Sequence, residues 1–155
     1  MAKPRPFLGL LAGVAAGLVA SAAMAAFQHQ AAKLLPEDGK DAEPATEKAA
    51  DKASEALIDT PLPEPRREQA GMAVPYIAGA VLGGIYGVIT EYKPEASAGF
   101  GGAYGIATSA LLDEAAGLAP GPEDTPLAQH AYGAASHLVY GIVLEGVRWL
   151  IAGRR

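Results

Sequence analysis

Residues able to do chemistry are few in this chain, and they fall into two groups. Asp113 and Glu114 close one apolar block and His130 and His137 open the next, while Glu91, Glu145 and Arg148 stand near the ends of two others. Imidazole and carboxylate together suit Zn²⁺ or Mn²⁺. His130 and His137 are seven residues apart, however, which on a straight helix separates them by roughly 10 Å along the axis. One ion cannot take both comfortably, so no metal site is expected. Two readings of the first group remain: His137 relays protons, or it hydrogen-bonds Asp113 or Glu114 across an interface and holds two helices in register. In the second group Glu145 and Arg148 are three apart and can pair on their own helix. Glu91 is expected at a water-accessible interface, with Arg148 lifting its charged head to the surface. Were Glu91 and Glu145 to face each other closely, one of the two would keep its proton.

Catalytic signatures are missing. The chain has no cysteine, hence no thiolate nucleophile, disulfide or cysteine metal site. It has no G-x-S-x-G turn, no phosphate-binding loop ending in Lys-Ser/Thr and no H-E-x-x-H. Neither an enzyme nor a bound cofactor is expected. A net charge of −5, without a basic patch interleaved with aromatics, argues against nucleic acid as a partner.

Helices must carry these groups. In Tyr132 to Arg148, YGAASHLVYGIVLEGVR, every fourth residue gives Gly133, His137, Gly141 and Glu145, and residues four apart share one helix face. Leu138, Val139, Ile142, Val143 and Leu144 flank that stripe and suit lipid. The same step recurs as Gly9, Gly13, Gly17, Ser21 and Ala25, as Gly79, Gly83, Gly87 and Glu91, and as Gly101, Gly105, Ser109 and Asp113. In a soluble helix each interior glycine costs about 1 kcal/mol relative to alanine. In a bilayer small residues let backbones approach closely.

The pattern predicts an all-α fold: a four-helix transmembrane bundle with glycine-lined helix interfaces, one membrane domain over 1–155. The expected spans are approximately 7–27, 72–91, 98–118 and 129–152. Phe7 to Phe27 is free of charge and long enough for a hydrocarbon core of about 30 Å. Pro75 is expected in the first turn of the second span, where proline is tolerated. The third span is the weakest, because an acidic residue at a helix centre opposes insertion by about 3 kcal/mol and Asp113 and Glu114 lie inside it. Residues 28–71 hold ten acidic and six basic side chains and read as an acidic extramembrane loop with a short helix near 44–58. Pro61, Pro63 and Pro65 then make an extended connector.

A competing reading of the N-terminus is a secretory signal peptide of an exported protein, with Lys3 and Arg5 as its basic end and Ala23-Met24-Ala25 as its cleavage pattern. Glycines in register favour a retained helix instead. If four helices cross, Lys3, Arg5, Lys93, Arg148, Arg154 and Arg155 fall on one side, which puts both termini in the cytoplasm of an inner membrane.

Two segments align over six positions: Tyr86-Gly87-Val88-Ile89-Thr90-Glu91 and Tyr140-Gly141-Ile142-Val143-Leu144-Glu145. Tyr104-Gly105 starts a looser version. With two spans per unit this is a parallel repeat of hairpins, or chance likeness between glycine-rich helices.

In PATEKAADKASEAL, GGIYGVITEY, GGAYGIATSALLDEA and HAYGAASHLVYGIVLEGVRW the chain resembles a family of uncharacterised bacterial inner-membrane proteins, the YagU-like family. The resemblance covers most of the chain from Pro44 onward. It implies a four-helix membrane protein and carries over no agreed activity. Where related chains have a histidine in Ala-Val-His-Tyr, this sequence has Val74-Pro75-Tyr76, so no histidine role transfers there.

The expected function is that of a structural or accessory membrane protein, whose partners are the lipid bilayer and a second copy or another membrane protein on its glycine faces. The alternative is a small proton- or metal-coupled transporter using His137, Asp113, Glu114, Glu91 and Glu145. Geometry separates them: polar groups lining a water-sized cavity favour transport, polar groups closed on each other favour the accessory role.

Overall fold

The computed structural model describes residues 3–31, 33, 63–111 and 127–153. The helix expected near 44–58, and Asp113 and Glu114, lie outside the described residues. Within them the chain is all-helical: α1 (Pro6–Ala31), α2 (Glu64–Tyr92), a 3-10 turn (Pro94–Ser97), α3 (Gly102–Ser109) and α4 (Leu127–Ala152). Three helical segments, Pro6–Ala31, Gln69–Tyr92 and His130–Ala152, are long and apolar enough to cross a membrane, which fits a membrane protein. The described part of the third expected span is shorter, the eight residues of α3 followed by a wider turn at Ala110 and Leu111.

α2 begins earlier than its apolar residues do. Pro63 precedes it in extended conformation, and Pro65 sits in its first turn, where a missing N–H has no partner to lose. Pro65 is therefore helical rather than part of an extended connector, and Pro75 lies well inside α2 rather than in its first turn. The reason is that the onset of apolar residues marks where a helix can enter lipid, while the helix itself is nucleated upstream by Glu, Arg and Gln, which are good helix formers. The Pro75 carbonyl accepts a hydrogen bond from Ser21 Oγ at 2.9 Å, which ties α2 to α1 at that level.

Lys93 ends α2, its N–H donating to the Ile89 carbonyl at 2.8 Å. The chain then reverses through the 3-10 turn and three left-handed residues, Gly99, Phe100 and Gly101. Gly101 is the position where glycine is required twice over. Its φ is +78°, and a Cβ there would collide with the Gly141 carbonyl.

α1 lies between α2 and α4 and runs antiparallel to both. Against α2 the backbones touch: a methyl group at Gly9, Gly13 or Gly17 would strike the carbonyl of Gly87, Gly83 or Gly79 respectively. α3 meets α4 in the same manner, Gly101 against Gly141 and Gly105 against the His137 carbonyl. On α1, Ala12, Ala16 and Ala20 are fully buried, and the last two pack with Tyr86, Tyr140 and Leu144. α2 and α4 run parallel without close backbone packing, and tyrosines span the space between them. Tyr140 donates to the Gly79 carbonyl at 2.8 Å, and Tyr104 of α3 donates to the Leu82 carbonyl at 2.8 Å. The rings of Tyr86 and Tyr104 lie 4.6 Å apart. Tyrosine suits this place because it fills the gap and its hydroxyl still finds an acceptor.

Candidate functional site: a buried ion network where the helix ends meet

The end of α2, the last turns of α4 and the residues before α1 converge at one end of the bundle. On α4, Glu145 and Arg148 are three residues apart and face inward. Arg148 Nε donates to Glu145 Oε2 at 2.6 Å and its Nη2 to Oε1 at 2.8 Å, a two-pronged contact that fixes both side chains. Tyr86 of α2 adds a third bond, its hydroxyl donating to Glu145 Oε2 at 2.9 Å. Tyr86, Thr90 and Arg148 are all essentially inaccessible.

Arg148 is 1% exposed, so the expectation that it lifts its head to the surface is corrected. Glu145 sits on the same inward stripe, three residues earlier, and holds the guanidinium in. Glu91 is corrected likewise: it is 4% exposed rather than open to water at an interface. Its Oε2 accepts from the Arg5 backbone N–H at 2.7 Å, and its Oε1 lies 3.8 Å from the Arg5 guanidinium. Arg5 Nη2 also donates to the Ala152 carbonyl at 2.6 Å, satisfying one of the carbonyls that a helix end leaves open. One residue outside any helix thereby joins the start of α1 to the ends of α2 and α4. Glu91 lies within electrostatic reach of Arg148, and Arg148 Nη1 is buried without a hydrogen-bond partner.

Of the other group only His130 and His137 lie among the described residues. His137 is buried, and its Nδ1 lies 3.4 Å from Thr108 Oγ1 of α3. Thr108 donates its one hydroxyl proton to the Gly105 carbonyl at 2.7 Å, so in the contact with His137 the ring nitrogen is the donor. His130 is exposed near the start of α4. Nearby, Tyr132 donates to the Gln28 carbonyl at 3.3 Å and stacks on Phe27, which joins α4 to the far end of α1. Gly133 is half-buried on α4. No group of three or more histidine, aspartate or glutamate side chains that could hold a metal occurs among the described residues.

Arg5, Tyr86, Tyr104, Thr108 and Tyr140 are the participants that sequence reasoning did not single out as carrying side-chain roles. A signal existed for the tyrosines, since Tyr86, Tyr104 and Tyr140 each directly precede a stripe glycine. None existed for Arg5, whose partners lie 86 and 147 positions away.

Chemically the network is a set of opposed charges buried among helices, with Arg148 Nη1 and Glu91 Oε1 left without hydrogen bonds, and three helices of the described residues are of membrane length. No family model, curated protein or solved structure matches the chain.

Proposed function

We propose that this chain is a multi-pass integral membrane protein of structural or accessory type. It would sit in an inner membrane with both termini in the cytoplasm, its helices packed in lipid along glycine faces. The observation that carries the reading is that, among the described residues, the buried ionisable groups close on neighbouring side chains and backbone. Glu145 is taken by Arg148 and Tyr86, Glu91 by Arg5, and His137 meets Thr108 in a buried seam. Groups that move protons or ions need a path to water, whereas groups that fix helices in register need partners. Retention of the first helix fits the same reading, because α1 packs on both α2 and α4 and signal cleavage after Ala25 would remove most of it. On the segments quoted above, we place the chain with the YagU-like inner-membrane proteins. Gly9, Gly13, Gly17, Gly83, Gly87, Gly101, Gly105 and Gly141, where an added Cβ would meet a facing backbone carbonyl, and Gly79, where it would meet Ser21 Oγ, serve as its packing positions.

The test compares His137→Ala and Glu145→Gln with the parent chain in proteoliposomes. Reduced folded yield in both, with no proton or divalent-ion flux in the parent, is the expected result. Flux through the parent that either substitution abolishes at normal yield would replace this reading with transport.

A further inference from the structure

We propose that the outer cleft between α1 and α2 is a binding site for one anionic phospholipid, with an acyl chain in the cleft and its phosphate at the end marked by Lys93 and Lys3. The proposal rests on the membrane reading above.

Two independent features point to that ligand. The first is shape and polarity. A groove of about 540 Å³, open to one side, is lined entirely by apolar residues, among them Leu10 and Val14 of α1 and Val81, Gly84, Ile85 and Ile89 of α2. Along α2 it extends from Ala80 to Ile89, about 13 Å at 1.5 Å per residue, the length of a substantial part of an acyl chain. Gly84 keeps it deep, for a Cβ there would come within 3.0 Å of Leu10 Cδ1 and Val14 Cγ2. These are side-chain ends and not backbone, so this glycine does not serve a backbone contact as Gly83 and Gly87 do.

The second feature is positive charge at one mouth. Ile85 and Ile89 share the stripe that lines the groove, and the exposed Lys93 follows directly at the end of α2, its N–H bonded to the Ile89 carbonyl. Lys3, also exposed, lies on the segment leading into α1 at the same end. Glu91 would cancel this charge if it faced outward, but it is buried and met by Arg5. The exposed Tyr92 suits the headgroup level. Glu95 is exposed on the 3-10 turn that follows Lys93. An apolar slot inside the hydrocarbon layer with ammonium groups at its interfacial mouth matches a lipid whose phosphate carries uncompensated negative charge, and it does not favour a zwitterionic one.

Full-length chain in phosphatidylcholine vesicles, probed with acyl-chain spin-labelled phosphatidylglycerol or phosphatidylcholine, tests this. The expected immobilised fraction favours phosphatidylglycerol about fivefold, the preference one ammonium gives near a membrane surface. Lys93→Gln, at an exposed position, should bring the ratio close to one. Glu95→Gln should raise it. Gly84→Leu should lower the immobilised fraction of both lipids. Equal retention of the two lipids by the parent chain, or a preference unchanged in Lys93→Gln with Lys3→Gln, would overturn the proposal. So would efficient disulfide dimerisation of Gly84→Cys in this otherwise cysteine-free chain, which would put a second copy in the groove. Failure to co-sediment with vesicles would defeat the membrane reading itself, whereas co-sedimentation without lipid preference defeats only the lipid site.

Discussion

The hairpin α1–α2 and the hairpin formed by α3 with α4 are built on the same plan and stabilised differently. In the first, Gly9 meets Gly87 and the Glu91 side chain, and Gly13 meets Gly83. In the second, Gly101 meets Gly141 and the Glu145 side chain, and Gly105 meets the backbone of His137. The aligned segments at Tyr86 and Tyr140 are thus more than a likeness of composition: their glycines and carboxylates occupy corresponding contacts. Three departures break the symmetry. Ala12, three residues after Gly9, corresponds to Tyr104, three after Gly101, so α4 comes close to α1 while α2 is held away from α3 by a ring. Gly83 corresponds to His137. Glu91 stands one residue before the end of α2, so no arginine can follow it on the same helix, and Arg5 serves it from outside. The lesson is that a repeated backbone contact fixes the hairpin, while the side chains that differ decide how two hairpins join.

The comparison breaks most easily at the carboxylates. Glu145→Ala leaves the Arg148 guanidinium buried without its counter-charge, and such a loss costs about 3–5 kcal/mol. It should abolish stable folded protein in detergent. Arg5→Ala should cost much less, because Arg5 is about half-exposed (48% of its side chain) and Glu91 keeps the field of Arg148. Thermal unfolding followed by size-exclusion chromatography separates the two. Adding Arg148→Met to Glu145→Ala should recover part of the loss, since it removes the orphaned charge while leaving the space of the glutamate side chain unfilled. Equal losses for Glu145→Ala and Arg5→Ala would mean the two carboxylates are equivalent after all.

Next in size are the close contacts. Gly13→Ala and Gly105→Ala both push a methyl group into a facing carbonyl, and overpacking of this kind costs about 1–3 kcal/mol. Gly84→Ala is the control within the first hairpin, since it meets only the mobile ends of Leu10 and Val14, and should shift the melting temperature little. If all three behave alike, the backbone contacts are not what sets the hairpins. Ala12→Leu sharpens the contrast with Tyr104, because a larger side chain at the fully buried Ala12 should force α4 away. A drop in stability at unchanged helix content by circular dichroism is the expected signature.

Much of this was legible in the chain, and the limits have physical causes. Helix periodicity puts Gly133, His137, Gly141 and Glu145 on one stripe, so the Glu145–Arg148 pair could be read from spacing alone. Which glycine opposes which could not, since a four-residue step recurs in several segments and any register between them looks alike. The depth of Arg148 does not follow from spacing, because its long aliphatic stem permits both an outward and an inward pose, and Tyr86 and Glu145 together select the inward one. The apolar block starts later than α2 does, because hydropathy reports the solvent a helix meets, not the hydrogen bonds that form it. Arg5 was invisible as a contact, being set by tertiary proximity and by no local pattern.

The smallest expected effect probes the odd position of the repeat, where His137 replaces Gly83. Thr108→Val removes the hydroxyl that lies 3.4 Å from His137 Nδ1 while keeping the side-chain shape. That hydroxyl already donates at 2.7 Å to the Gly105 carbonyl within its own helix, a carbonyl that the helix ladder can serve without it. What is lost is therefore one long interhelical bond, and such bonds in membrane proteins average about 0.6 kcal/mol. The melting temperature should fall only slightly, far less than for Glu145→Ala. The ¹⁵N shifts of His137 should report a changed proton distribution over the ring, because Nδ1 loses the acceptor that favours its protonation. A large loss of folded yield in Thr108→Val would show that the second hairpin is held at His137 as firmly as at Glu145, and the division of labour between ion pair and seam would have to be redrawn.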